Sequence, residues 1–246
     1  MGHDAHIEDA VRQNPTIRIA VADPKLSQPE YIEAARSASF LMVSSVEQRD
    51  VFLKLNRNIL VYHMFPQIES VQKVHQNGDR IVVGYHGNRV HLECMQDGAG
   101  AAIRELGRRR RVEFWAMYNR DTLGEVDFSG WEHIRVRHIQ WSWKNYVQEL
   151  AHVDIGIVPN LMPIRDRLRI LELSAYRDGR FMYEPFDHLC RFKASTNPGR
   201  LYPFARLGIP VVSDFTPSAC QFVLDGESGF ISASPHAWFE ALETLA

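Results

Sequence analysis

From Ile17 onward the chain alternates short apolar, β-rich runs with stretches of mixed polarity: IRIAVAD, YIEAARSA, FLMVSS, VEQRDVFLKL and NILVYHMF. They read in turn as strand, helix, strand, helix and strand. Near-continuous apolar runs between amphipathic stretches are the pattern of a parallel sheet buried on both faces, because each parallel step needs a crossover helix. The opening is therefore one βαβαβ unit. Between Pro66 and Arg80 the periodicity lapses into PQIESVQKVHQNGDR, which contains the turn pair Asn77-Gly78. This predicts a partial α/β unit over 1–66, a linker over 67–79 and a second unit over 80–246.

The second series predicts strands at 81–84, 112–117, 134–139, 153–158, 209–213 and 229–232. Helices are expected near 92–107, 143–151, 198–206, 217–224 and 235–245. Residues 160–192 interrupt the alternation with a stretch rich in Arg and aromatic residues, and an irregular segment of that length usually serves function or moves. Its Arg165, Arg167, Arg169, Tyr176 and Tyr183 suit an acceptor or partner surface, or equally an ordered surface insertion.

Size and charge narrow the possibilities. At 246 residues and 45% apolar content, one large α/β domain or two small ones can fill their cores. A formal charge of -2 gives no overall attraction to nucleic acid or to anionic membrane. The run Arg108 to Arg111 fits a solvated helix end, where cations suit the negative pole, with local phosphate or membrane contact as the alternative. Cys94, Cys190 and Cys220 are far apart and form no CxxC pair, which points to reduced, cytoplasmic surroundings. The start of the chain is polar, and no run approaches the ~18 apolar residues of a membrane span, leaving peripheral membrane contact open. His86 with His91, and His188 with Cys190, lack the second well-spaced pair that structural zinc needs, so no metal site is expected.

Three segments carry candidate chemistry. Gly84-Tyr85-His86-Gly87-Asn88-Arg89-Val90-His91 follows an apolar strand and leads into a helix. Glycines there let backbone approach a phosphate, and a helix start offers unpaired N–H groups to it. A plain strand-to-helix turn accounts for the same residues, since neither GxGxxG nor a P-loop lysine is present. Asp154 to Asn160 reads as a buried strand ending at the same edge of the sheet. Lys193 and Arg200 flank an expected helix start, with Asn197 as a candidate N-cap and Pro198 at the first helical position. Two cations and a positive helix end make an anion site, and a capped surface helix is the alternative.

In the order GYHGN..H, VDIGIVPN, FKAS...R, LGIPVVSD, DGESGF and AWFEAL, these segments resemble the donor-binding domain of GT-B glycosyltransferases, the retaining group that uses nucleotide sugars. The likeness spans about 80 to 246, is most specific over 193 to 229, and extends weakly to 17–66 as the end of an acceptor-side domain. It implies a Rossmann-like parallel sheet with helices on both faces, a nucleoside diphosphate sugar as donor, a saccharide or glycoconjugate acceptor and no cofactor or metal. The departing diphosphate would be stabilised by Lys193 and Arg200. Gly84, His86, Gly87, Asn88, His91, Asn160 and Asn197 would lie near the diphosphate or sugar, and Tyr118, Asn119 and Trp141 near the nucleobase; packing is the other reading of Trp141 and Trp143.

The sequence departs from that pattern in three places. Pro203 stands where relatives commonly carry a ribose-binding Glu, Lys193 and Arg200 are seven residues apart where four is usual, and residues 1–66 cover only a fragment of an acceptor domain. A partner chain could complete the cleft. Alternatives to a transferase are a non-catalytic nucleotide-sugar-binding or interaction module and, in the same architecture, a sugar-nucleotide epimerase.

Overall fold

The structure, a computed structural model, describes residues 7–14, 16–25, 29–63, 68, 73, 75, 78–161, 186–187, 192–193 and 197–246. Arg165, Arg167, Arg169, Tyr176, Tyr183, His188 and Cys190 lie outside the described residues. Two compact units are present, Met1–Met64 with Pro163–Pro198, and Phe65–Met162 with Gly199–Ala246.

The first unit runs α1 (Ile7–Gln13), β1 (Ala20–Ala22), α2 (Pro29–Ser37), β2 (Phe40–Val43), α3 (Val46–Phe52) and β3 (Ile59–Val61). Its strands pair in parallel in the order β1-β2-β3, as a βαβαβ unit requires. Ile32 and Ala35 of α2 pack on Leu41, Val43 and Phe52. Ser45 caps α3 by accepting from the Gln48 main chain.

The second unit opens with β4 (Ile81–His86), α4 (Arg89–Cys94), α5 (Ala99–Arg109), β5 (Val112–Tyr118), α6 (Arg120–Leu123), β6 (Ile134–Gln140), α7 (Tyr146–Leu150) and β7 (Ile155–Val158). Two short antiparallel strands, β8 (Phe186–Asp187) and β9 (Phe192–Lys193), belong by position to the first unit. The second unit then closes with α8 (Leu201–Arg206), β10 (Val211–Asp214), α9 (Pro217–Cys220), β11 (Gly229–Ser232) and α10 (Pro235–Leu245).

Its six strands are all parallel in the order β11-β10-β7-β4-β5-β6. The chain enters at the middle with β4, moves outward to β6, then crosses back to β7 and moves outward the other way. Between β4 and β7 the winding reverses, and in an open α/β sheet ligands sit beyond the carboxyl ends of the strands at such a point. Alternation along β4 feeds two cores: Val83 and Tyr85 join Ile103, Leu106, Phe114 and Trp238, whereas Val82 joins Met117, Leu150, Val158 and Phe204. Gly84 and Gly156 are paired in register. A methyl group at Gly84 would run into Val153, and one at Gly156 would lie 2.6 Å from the Phe204 ring.

Several boundaries differ from the periodicity. The helix expected over 92–107 is two helices, α4 and α5, separated at Gly98, whose backbone leaves the helical region at φ -112 and ψ -105. The helix expected from 198 begins at Leu201, so Asn197 is not its N-cap; Arg200 takes that position with helical dihedrals and no side-chain cap. The helix from 217 ends at Cys220, and that near 143–151 shrinks to Tyr146–Leu150.

Candidate functional site

At the carboxyl end of β4 the backbone turns through Gly87 at φ 145. A Cβ there would meet Arg200 Cδ at 2.7 Å and the Tyr85 hydroxyl at 2.8 Å, so close approach as well as conformation calls for glycine. Asn88 caps α4, its side chain accepting from Val90 N at 3.2 Å, while Tyr85 donates its hydroxyl proton to Asn88 O at 2.6 Å.

Across the switch point Arg200 reaches the end of β7. Its guanidinium donates to Pro159 O at 2.6 Å and to Asn160 Oδ1. Burial raises the pKa of the nearby Tyr85 hydroxyl to about 12 against the pull of that cation. Among the described residues no carboxylate makes an ion pair with Arg200, so neutral oxygens hold the cation and leave its charge uncancelled by contact.

His86, at the end of β4, is buried against the Phe204 ring at 5.1 Å, and its Nε2 lies 2.9 Å from Arg200 O. Burial lowers its pKa to about 4, partly opposed by that bond. The ring is neutral at neutral pH. Because a carbonyl only accepts, Nε2 must carry the proton.

A buried carboxylate completes the cluster. Asp214, the last residue of β10, accepts from Asn160 N at 2.5 Å through Oδ2 and from Trp238 Nε1 at 3.1 Å through Oδ1. Burial raises its pKa to about 6, opposed by those bonds and by the field of Arg200. Asn160 Nδ2 donates to Val158 O at 3.2 Å, so its Oδ1 is turned toward the guanidinium. One bonded chain thus runs from Trp238 through Asp214, Asn160 and Arg200 to His86.

Of the residues singled out from the sequence, His86, Gly87, Asn88, Asn160 and Arg200 come together here. His91 lies one turn into α4, its Nδ1 2.8 Å from Leu161 O. Gly84 is two residues inside β4, where packing against Val153 accounts for its missing side chain. Asn119 caps α6 and takes a bond from Gln140 Nε2 at 3.4 Å. Trp141 is half-buried against Trp143, with ring centroids 5.1 Å apart, and Trp143 is 76% exposed. Asn197 is half-buried ahead of α8, and Lys193 is paired with Phe186 in the first unit.

Tyr118 ends β5 inside the core. Its ring is fully buried, its hydroxyl accepts from Val126 N at 3.0 Å, and the same hydroxyl is hydrogen-bonded to His138 Nδ1 at 2.8 Å. Both faces pack in the core, so it offers no surface on which a nucleobase could stack. Sequence reasoning also missed Asp214. A carboxylate closing the apolar run IPVVSD was the available signal.

No protein-family model matches the sequence, and no curated protein matches it. Solved structures do. S. aureus TarM, in complex with UDP and alpha-GlcNAc-glycerol, is similar with a TM-score of 0.56 and 11% identity over 87% of this chain and 39% of that one. Sucrose-phosphate synthase from Thermosynechococcus elongatus gives 0.58 and 11% over 98% and 61%. WaaG, a glycosyltransferase involved in lipopolysaccharide biosynthesis, gives 0.55 and 12% over 97% and 71%.

The chain has the GT-B glycosyltransferase fold. It spans 39% of TarM and 61% of sucrose-phosphate synthase, less than two thirds of either. Within the GT-B fold the departure at Pro203 acquires a position: it is the buried third residue of α8. Its missing N–H costs little there, because N–H groups of a first turn have no partner inside the helix. No helix among the described residues is long and apolar enough to cross a membrane.

Proposed function

We propose that the second unit binds a nucleoside diphosphate sugar at the carboxyl ends of β4 and β7, and that the chain transfers that sugar to a glycan, lipid-linked or protein acceptor with retention of configuration. The observation that carries this reading is Arg200: a partly exposed cation held by neutral oxygens at the winding reversal of a GT-B sheet, directly beside Gly87. Breaking the bond between the anomeric carbon and the diphosphate oxygen leaves extra negative charge on the diphosphate. A preorganised guanidinium stabilises that charge without reorganising at the moment of reaction. Lys193 is assigned as a second cation from the sequence pattern alone. Charge neutralisation falls to these side chains, with no metal or cofactor invoked. Because TarM holds UDP, UDP-sugars are the first donors to test.

Calorimetry of the whole chain with UDP, GDP, ADP and dTDP and their sugars tests the reading, together with nucleoside diphosphate release and NMR of the product anomer. One diphosphate binds, Arg200→Ala weakens it at least tenfold, about the worth of a charged hydrogen bond, and turnover follows. Absence of binding at millimolar concentration refutes the donor site. Tight binding without turnover toward any acceptor selects the non-catalytic module, the reading that Pro203 favours.

A further inference from the structure

We infer that Asp214 is a positioning residue for Arg200, acting through the main chain of Asn160. The inference rests on the donor-site reading above for what Arg200 does, but not for how Arg200 is held. Burying a carboxylate at the end of a sheet strand is costly unless donors meet it. Two donors meet this one: the Asn160 N–H at 2.5 Å and the Trp238 indole N–H at 3.1 Å. The first belongs to the residue whose side-chain oxygen receives the guanidinium, and the preceding carbonyl, Pro159 O, receives it again at 2.6 Å. Both oxygens that aim Arg200 therefore sit on a two-residue stretch tied to Asp214 through the Asn160 N–H.

An alternative role for the same carboxylate is purely structural, anchoring α10 through Trp238. The two roles use different oxygens, Oδ2 and Oδ1, and can be separated. Asp214→Asn offers one acceptor oxygen and one NH2 group to two N–H donors, so one donor loses its partner. Trp238→Phe removes only the α10 bond.

The test is a double-mutant cycle read by UDP affinity, with circular dichroism and Tm as checks of folding. Asp214→Asn weakens UDP about tenfold in the native background. In the Arg200→Ala background it changes affinity less than about twofold, because the group it positions is gone. Trp238→Phe lowers Tm yet leaves affinity within about twofold. Full additivity of Asp214→Asn with Arg200→Ala overturns the inference, as does unchanged affinity in a folded Asp214→Asn.

The unsubstituted chain carries a second measurement, independent of folding of the variants and of any ligand. In a 15N NMR titration the Asn160 amide and the Arg200 guanidinium signals move together with a midpoint near 6, that of Asp214. His86 and Tyr85, the other titratable groups beside Arg200 among the described residues, change charge near 4 and 12. An Arg200 signal that ignores this midpoint overturns the link. If wild-type protein binds no UDP while both signals titrate together, the donor-site reading fails and the positioning link stands.

Discussion

Two buried groups of the cluster should pull the acid stability of the protein in opposite directions. His86 is lowered from 6.5 to about 4, so between those values the unfolded chain binds the proton and the folded one does not. Its contribution is present above pH 6.5 and is lost as pH falls toward 4. Asp214 is raised from 3.8 to about 6, so over that window the folded chain binds the proton more tightly. Its contribution has the other sign: stability is gained as pH falls through 6. At ~1.4 kcal/mol per decade of proton affinity, each shift corresponds to about 3 kcal/mol, and the two nearly offset between pH 4 and 6. The perturbation is to remove one at a time. Asp214→Asn should lose ~3 kcal/mol more than wild type on going from pH 6.5 to 4, and His86→Gln should lose ~3 kcal/mol less. Urea unfolding at the two pH values, compared within each variant, cancels the fixed cost of the substitution and the carboxylates common to all three proteins. Parallel pH dependence in wild type and Asp214→Asn would refute the reasoning, because it would mean that the Asp214 carboxyl titrates as though in water.

Two further substitutions probe packing against function. Gly156→Ala places a methyl group 2.6 Å from the Phe204 ring and should cost about 1–3 kcal/mol, seen as a lower urea midpoint; an unchanged midpoint would show that α8 yields freely. Tyr118→Phe leaves Val126 N–H without its buried acceptor and should cost about 1–3 kcal/mol of stability with UDP affinity unchanged; a loss of affinity would return Tyr118 to the donor site.

The regular elements were most legible where their start and stop signals are local. The strand at Gly229–Ser232 and the helix at Pro235–Leu245 match their expected bounds, because an apolar run and then a Ser-Pro start define them locally. Helix breaks were less visible. The periodicity of 92–107 continues through Gly98, and only the backbone there reveals α4 and α5 as separate. Among the glycines, the sequence cannot tell a residue that makes room for a neighbour from one that turns the chain: Gly84 does the first and Gly87 the second. Arg200 was legible as a charge beside a helix start. Its holders were not, since Pro159-Asn160 follow β7, Asp214 ends β10 and Trp238 is on α10, and no local pattern links them. The burial of Tyr118 was hidden for a related reason: its hydroxyl partners, Val126 and His138, are supplied by a loop and the next strand.

The strand order that reverses between β4 and β7 bears on how the protein matures. Both halves of the sheet must be threaded and docked before His86, Asn160 and Asp214 can become neighbours, because each closes a long loop of chain. Pairings so distant in sequence form slowly and late. A chain with α10 undocked would lack the Trp238 N–H that meets the buried Asp214 carboxylate. The order of winding therefore places the assembly of the site after both halves of the sheet have docked.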